Sequence, residues 1–106
     1  MNESTATLTR LTIAFPPALE ARIVELLLEH EPPLPGFTVL RGEGHGADFS
    51  RASVREQVRG RVDRRILMII LPQAHAEALL DALRSALPNP QVAWWLEPVL
   101  AFGRLA

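Results

Sequence analysis

The 106-residue chain has no cysteine and no tyrosine, and all eleven of its basic residues are arginine. Without a thiol it has no disulfide, no thiolate metal site and no cysteine nucleophile. Aromatic residues are few, four phenylalanines and two tryptophans, and neither sign of charge dominates, the formal net charge being −1. That balance gives no sign of a protein that coats nucleic acid or membrane. The longest strongly apolar run, Ile66 to Leu71, falls far short of the roughly 20 residues that cross a bilayer as a helix. Residues Met1 to Ala6 carry Glu3 and no basic cluster ahead of an apolar run. No secretory signal is expected there, and the chain reads as soluble and cytoplasmic. The length suits one domain over residues 1–106 with one core, and excludes a second domain.

What is present is a regular alternation of strand and helix patterns. Thr7 to Phe15 alternates, with Leu11, Ile13 and Phe15 on one face and Arg10, Thr12 and Ala14 on the other, which predicts a strand. Pro16 and Pro17 stop it and suit the start of a helix in which Leu19, Ile23, Leu26, Leu27 and His30 recur at helical spacing. Pro32, Pro33, Pro35 and Gly36 end that helix. Phe37 to Gly44 predicts a second strand and Val62 to Leu71 a third. A second helix follows, with Ala76, Leu79, Leu80, Leu83 and Leu87 inward and Glu77, Asp81 and Arg84 toward water. Gln91 to Leu100 predicts a fourth strand, with Pro98 marking an edge or a bulge. The order βαββαβ implies an α+β, ferredoxin-like domain: a four-stranded antiparallel sheet with both helices on one face.

Two features exceed that frame. Ile66 to Leu71 and Val92 to Leu96 are apolar on both strand faces, whereas a sheet covered on one face only should alternate. Self-association through the open face would cover the surplus. Adjacent Trp94 and Trp95 must point to opposite faces, so one is expected in the core and the other at an interface or pocket. The connection between the second and third strands, 45–61, has seventeen residues where a hairpin needs about two to five. Loops of that length in small domains commonly carry function. Ser53 and Glu56 have capping-box spacing and Gly60 is placed to end a short helical turn.

Candidate chemistry gathers in this connection and at its margins. Arg41, Arg51, Arg55, Arg59, Arg61, Arg64 and Arg65 face only Glu43, Asp48, Glu56 and Asp63, a net of +3, while the rest of the chain carries −4. Guanidinium groups favour phosphates, carboxylates and acidic protein surfaces through paired hydrogen bonds. Arg41, Gly42, Gly44, His45 and Arg64 are therefore candidate ligand-binding residues. Arg51, Arg55, Glu56, Arg59 and Arg61 are candidates for contacting a partner protein. The glycines of Gly42-Glu43-Gly44-His45-Gly46 would permit positive φ and a close approach of ligand. His45 is a candidate metal ligand, with Glu43 and Asp48 as the neighbouring carboxylates, or a solvent-exposed histidine. No Ser/His/Asp set, paired-carboxylate spacing or phosphate loop before a helix is present, so catalysis is not expected.

The element order, the glycine-flanked long connection and the run Ile66 to Pro72 leading into a helix together resemble the PII-like superfamily. Leu40 to Gly44 is similar to the strand exit of its nitrogen-regulatory members. Gly44-His45-Gly46 through Glu56 to Arg61 resembles a branch often encoded beside heavy-metal efflux systems, and the CutA-like proteins are more distant by fold. The resemblance implies a homotrimer whose long T-loop, here 45–61, meets ligands and target proteins. It differs where the nitrogen-regulatory members have a glutamine and this chain has Gly46. It differs again where they have a lysine- and glycine-rich phosphate turn and this chain has Leu87-Pro88-Asn89-Pro90. It has no tyrosine for loop modification, and near the chain's end only Arg104 matches their basic pair. Ordinary MgATP sensing is therefore not expected. A trimeric sensor of a small anionic ligand or divalent metal, acting on a partner such as a membrane transporter, is the leading expectation. A protein-interaction module without a small ligand is the alternative. A nucleic-acid binder ranks below both, because the sheet lacks an aromatic and basic RNA platform.

Overall fold

Alternation of β-branched and aliphatic residues with polar ones makes β1 (Leu8–Phe15), whose Leu11, Ile13 and Phe15 are completely buried. The computed structural model describes residues 7–45 and 62–106. After β1 the chain turns through a 3₁₀ turn (Pro17–Leu19) into α1 (Glu20–Glu29), the turn being closed by Leu19 N–H donating to the Pro16 carbonyl. Pro17 loses nothing at a position where its missing N–H has no helical partner. Strand β2 (Phe37–Gly44), strand β3 (Val62–Pro72), helix α2 (Gln73–Ala86) and strand β4 (Ala93–Pro98) complete the chain.

The four strands form one sheet in the order β2-β3-β1-β4, and every neighbouring pair is antiparallel. This is the ferredoxin-like arrangement that the order of elements predicts. The register places Leu11 opposite Ile69, Ile13 opposite Leu67 and Phe15 opposite Arg65, so the odd-numbered residues of β1 and β3 share the helix-covered face. Leu67, Ile69 and Leu71 of β3 close the core with Ile23 and Leu27 of α1 and Ala76, Leu79 and Leu80 of α2. Each large aliphatic buried in this layer contributes about 1.5–3 kcal/mol. The start of α2 is tied to β1 by Gln73 N–H donating to the Thr7 carbonyl at 2.9 Å, and Thr9 Oγ1 donates to the Leu71 carbonyl at 2.8 Å.

Two local expectations are corrected. The fourth strand spans Ala93–Pro98 rather than Gln91 to Leu100. The residues before it form an Asx turn in which Asn89 Oδ1 accepts from Gln91 N–H, and Pro98 has no N–H to extend the ladder. Neither tryptophan is in the core: Trp94 is 42% and Trp95 43% exposed. The reason is that β4 is the edge strand of the sheet among the described residues. On the helix face, α2 ends at Ala86 and leaves the Trp94 ring half-exposed. Arg84 is exposed, as expected, and its guanidinium carbon lies 5.3 Å from the centroid of that ring.

Candidate functional site

The last residues of β2 and the first of β3 form the base from which the long connection departs. Arg41 pairs with Arg65, Gly42 with Arg64, Glu43 with Asp63 and Gly44 with Val62. Residues paired across an antiparallel ladder share a face. The register therefore divides the candidate ligand-binding residues. Gly42, Gly44 and Arg64 belong to the open face. Arg41 shares the helix-covered face with Arg65, whose Nε donates to Glu20 Oε1 of α1 at 3.0 Å. Gly42 has ordinary strand backbone, so no left-handed φ is required of it. A methyl group added there would sit 3.5 Å from Ile66 Cγ1, an ordinary contact. The open face beside Ile66 is thus left without a side chain at Gly42.

Arg64 Nη2 donates to the Gln91 carbonyl at 2.8 Å, reaching past the end of β1 to the turn before β4. Partial burial pulls its pKa below the usual guanidinium value. His45 Nε2 lies 3.8 Å from Glu43 Oε2, a pair that carries opposite charge when the imidazole is protonated. Among the described residues no group of three or more histidine, aspartate or glutamate side chains converges as a metal site would. Arg51, Arg55, Glu56, Arg59 and Arg61, Gly46, and the Ser53 and Glu56 capping spacing lie outside the described residues.

The open sheet face is largely apolar. Ile66, Met68 and Ile70 of β3 lie along its middle, half-buried, with Leu40 of β2 46% exposed on one side and Trp95 of β4 on the other. Thr12 sits between Met68 and Trp95 in the register and is 2% exposed, yet among the described residues its Oγ1 has no hydrogen-bond partner. At the β4 border, Arg10 Nε and Nη2 both donate to Glu97 Oε1, and Trp95 Nε1 donates to the same oxygen at 3.1 Å. The Arg10 hydrogen bonds hold the Glu97 carboxyl below the usual carboxylate range. The sequence reading missed this cluster. Its signal is visible in retrospect, since Arg10 is the charged residue on the polar side of β1 and Glu97 the acidic residue in the strand paired to it.

On the helix-covered face, an apolar cleft of about 320 Å³ opens beneath Trp94. Ile13, Ile23, Leu80, Leu83 and Leu87 line it, with Arg84 and Asn89 at its margin.

The family described as "Protein of unknown function (DUF3240)" matches residues 5–106. Among solved structures, a DUF3240 family protein from Shewanella baltica is 24% identical with a TM-score of 0.75, over 96% of this chain and 100% of that one. CPII, a nitrogen regulatory PII-like protein from Thiomonas intermedia bound to ADP, AMP and bicarbonate, is 14% identical with a TM-score of 0.67, over 92% and 96% of the two chains. A protein from Thermus thermophilus described as PII-like and signalling is 24% identical with a TM-score of 0.62, over 89% and 88%. The fold is thus that of PII-like proteins, as the sequence resemblance implies. No curated protein matches the sequence. No helix among the described residues is long and apolar enough to cross a membrane.

Proposed function

The chain belongs to the DUF3240 family, and from that premise we propose that it is a PII-like regulatory protein and not an enzyme. It works as a homotrimer, takes a small anionic ligand at the base of the β2–β3 connection, and signals occupancy to a partner protein through the arginines of that connection. The observation that carries this reading is the open sheet face. Leu40, Ile66, Met68, Ile70 and Trp95 form an apolar surface that a lone chain would leave in water. Such surfaces on small domains mark association sites, and three copies of the sheet packed inward would cover it.

The anion reading rests on position and charge. Arg64 and Gly42 are paired in the register near the base of the connection, and the Arg64 guanidinium, which donates to the Gln91 carbonyl, is the charge that an anion on this open face would recruit. CPII, with the same fold, is bound to ADP, AMP and bicarbonate, all anions. The turn Leu87 to Pro90 has no lysine, its two prolines have no N–H, and the Gln91 N–H beside it is already donated to Asn89 Oδ1. MgATP therefore finds few phosphate donors there. Ligand charge would relieve repulsion among the arginines and favour one arrangement of the connection, a segment-level switch. His45 beside Glu43 offers the same margin to a divalent cation, and a membrane transporter is the kind of partner such a switch would serve.

Calorimetry with AMP, ADP, bicarbonate and MgATP tests the ligand. At least one of the first three should bind, MgATP weakly or not at all, and Arg64→Gln should weaken binding about tenfold, equivalent to about 1.4 kcal/mol. An intact trimer that binds none of them would instead favour an interaction module without a small ligand.

A further inference from the structure

We propose that the cleft beneath Trp94 receives the segment that follows β4 from a second copy of the chain, with Phe102 as its anchor. The inference rests on the self-association proposed above and adds a contact on the opposite side of the sheet. Two incomplete surfaces motivate it. The cleft is lined almost wholly by aliphatic carbon and by the half-exposed indole of Trp94, with the Arg84 guanidinium carbon 5.3 Å from the ring centroid. The segment after β4 has no regular structure, and Leu100, Phe102 and Leu105 are 103%, 62% and 109% exposed. A short segment with that many bare apolar side chains gains by burying them, and an aromatic side chain in an apolar pocket is the usual anchor of such contacts.

Geometry favours a neighbour's cleft over the chain's own. Trp94 is near the start of β4, whereas the segment departs from its far end, where Val99 N–H donates to the Leu8 carbonyl at 2.9 Å. Self-insertion would require the segment to reverse and run back along β4. Fully extended, residues 100–102 carry Phe102 at most about 11 Å beyond Val99, short of the five residues of β4 that it would have to retrace to reach its own Trp94. Gly103, with no heavy atom within 4 Å of its added Cβ, leaves room to bend after Phe102. A contact of this kind joins unlike surfaces, segment to cleft, and such head-to-tail contacts close into rings. In a trimer each copy would give one segment and receive one.

The absence of native cysteine makes the test clean. Arg84→Cys and Ala101→Cys are prepared as separate chains, mixed in one assembly and treated with a short bismaleimide. The expected product is a covalent dimer that forms only when both variants are present. No cross-link, or a cross-link confined to single chains carrying both cysteines, overturns the proposal. A second readout uses Trp95→Phe, which leaves Trp94 as the sole indole. Adding Phe102→Ala should shift its emission to the red and raise its quenching by acrylamide. Unchanged emission would count against the anchor. If sedimentation still shows a trimer while both tests fail, the docked segment is wrong and the open-face trimer stands. A monomer would remove both.

Discussion

Arg10 and Glu97 are joined across the β1–β4 pair by two hydrogen bonds to one carboxylate oxygen, from Nε at 3.2 Å and Nη2 at 2.7 Å. The pairing lowers the Glu97 pKa in the folded chain relative to the unfolded one. A depressed carboxyl pKa contributes stability that is present above the unfolded value and lost as pH falls through the folded value. Acid unfolding should therefore lose part of its pH dependence, below the ordinary carboxylate range, in Glu97→Gln. Thermal melts of both proteins across that range check it, and parallel curves would mean that the pair contributes nothing. Because both side chains are about 42–43% exposed, the effect in an isolated chain should be small.

Thr12 gives a prediction of the opposite sign. Its hydroxyl is buried without a partner in the single chain, and such a group costs on the order of 1–3 kcal/mol. Thr12→Val keeps the shape and removes the orphan, so stability should rise by about 1 kcal/mol in denaturant titration. A loss of stability would show that the hydroxyl meets a partner in the assembly.

Substitutions on the two faces of the sheet should separate in their effects. Trp95→Ala removes apolar surface from the open face and the indole N–H donor to Glu97. It should weaken self-association, read as dissociation at higher protein concentration, with little change in secondary structure. By contrast, Leu67→Ala in the closed core should cost about 2–5 kcal/mol, because it leaves a cavity. Equal effects of the two substitutions on the melting temperature would contradict the assignment of faces.

Much of this architecture is legible in the residues because local signals agree with the global fold. Gly36 and the prolines before it punctuate β2 so clearly that its expected and observed limits coincide at Phe37–Gly44. The core face of β1 follows from period-two alternation. The tryptophans were misread because adjacency reveals opposite faces but not strand order, and only the order makes β4 an edge. The ligand-binding group was legible as a charge cluster. Its division between two faces was not, since it depends on the register of Gly42 with Arg64. The Arg10–Glu97 pair joins residues that are distant in sequence, and the two charges can be matched only once β1 and β4 are known to be neighbours.

Arg51, Arg55 and Arg59 offer a test of signalling. Changing the three together to glutamine removes three charges while keeping polar side chains, and stability should hardly move. Capture of the partner, or the ligand-dependent response of cells, should fall sharply. An unfolded triple variant would make these arginines structural, and a stable one with an unchanged response would remove the connection from the mechanism.

The account depends most on the open face formed by Leu40, Ile66, Met68, Ile70 and Trp95. Sedimentation velocity of the intact protein at micromolar concentration measures its consequence directly. A single species of three times the chain mass, shifted toward smaller species by Trp95→Ala, is the predicted result. A monomer at that concentration would contradict the account.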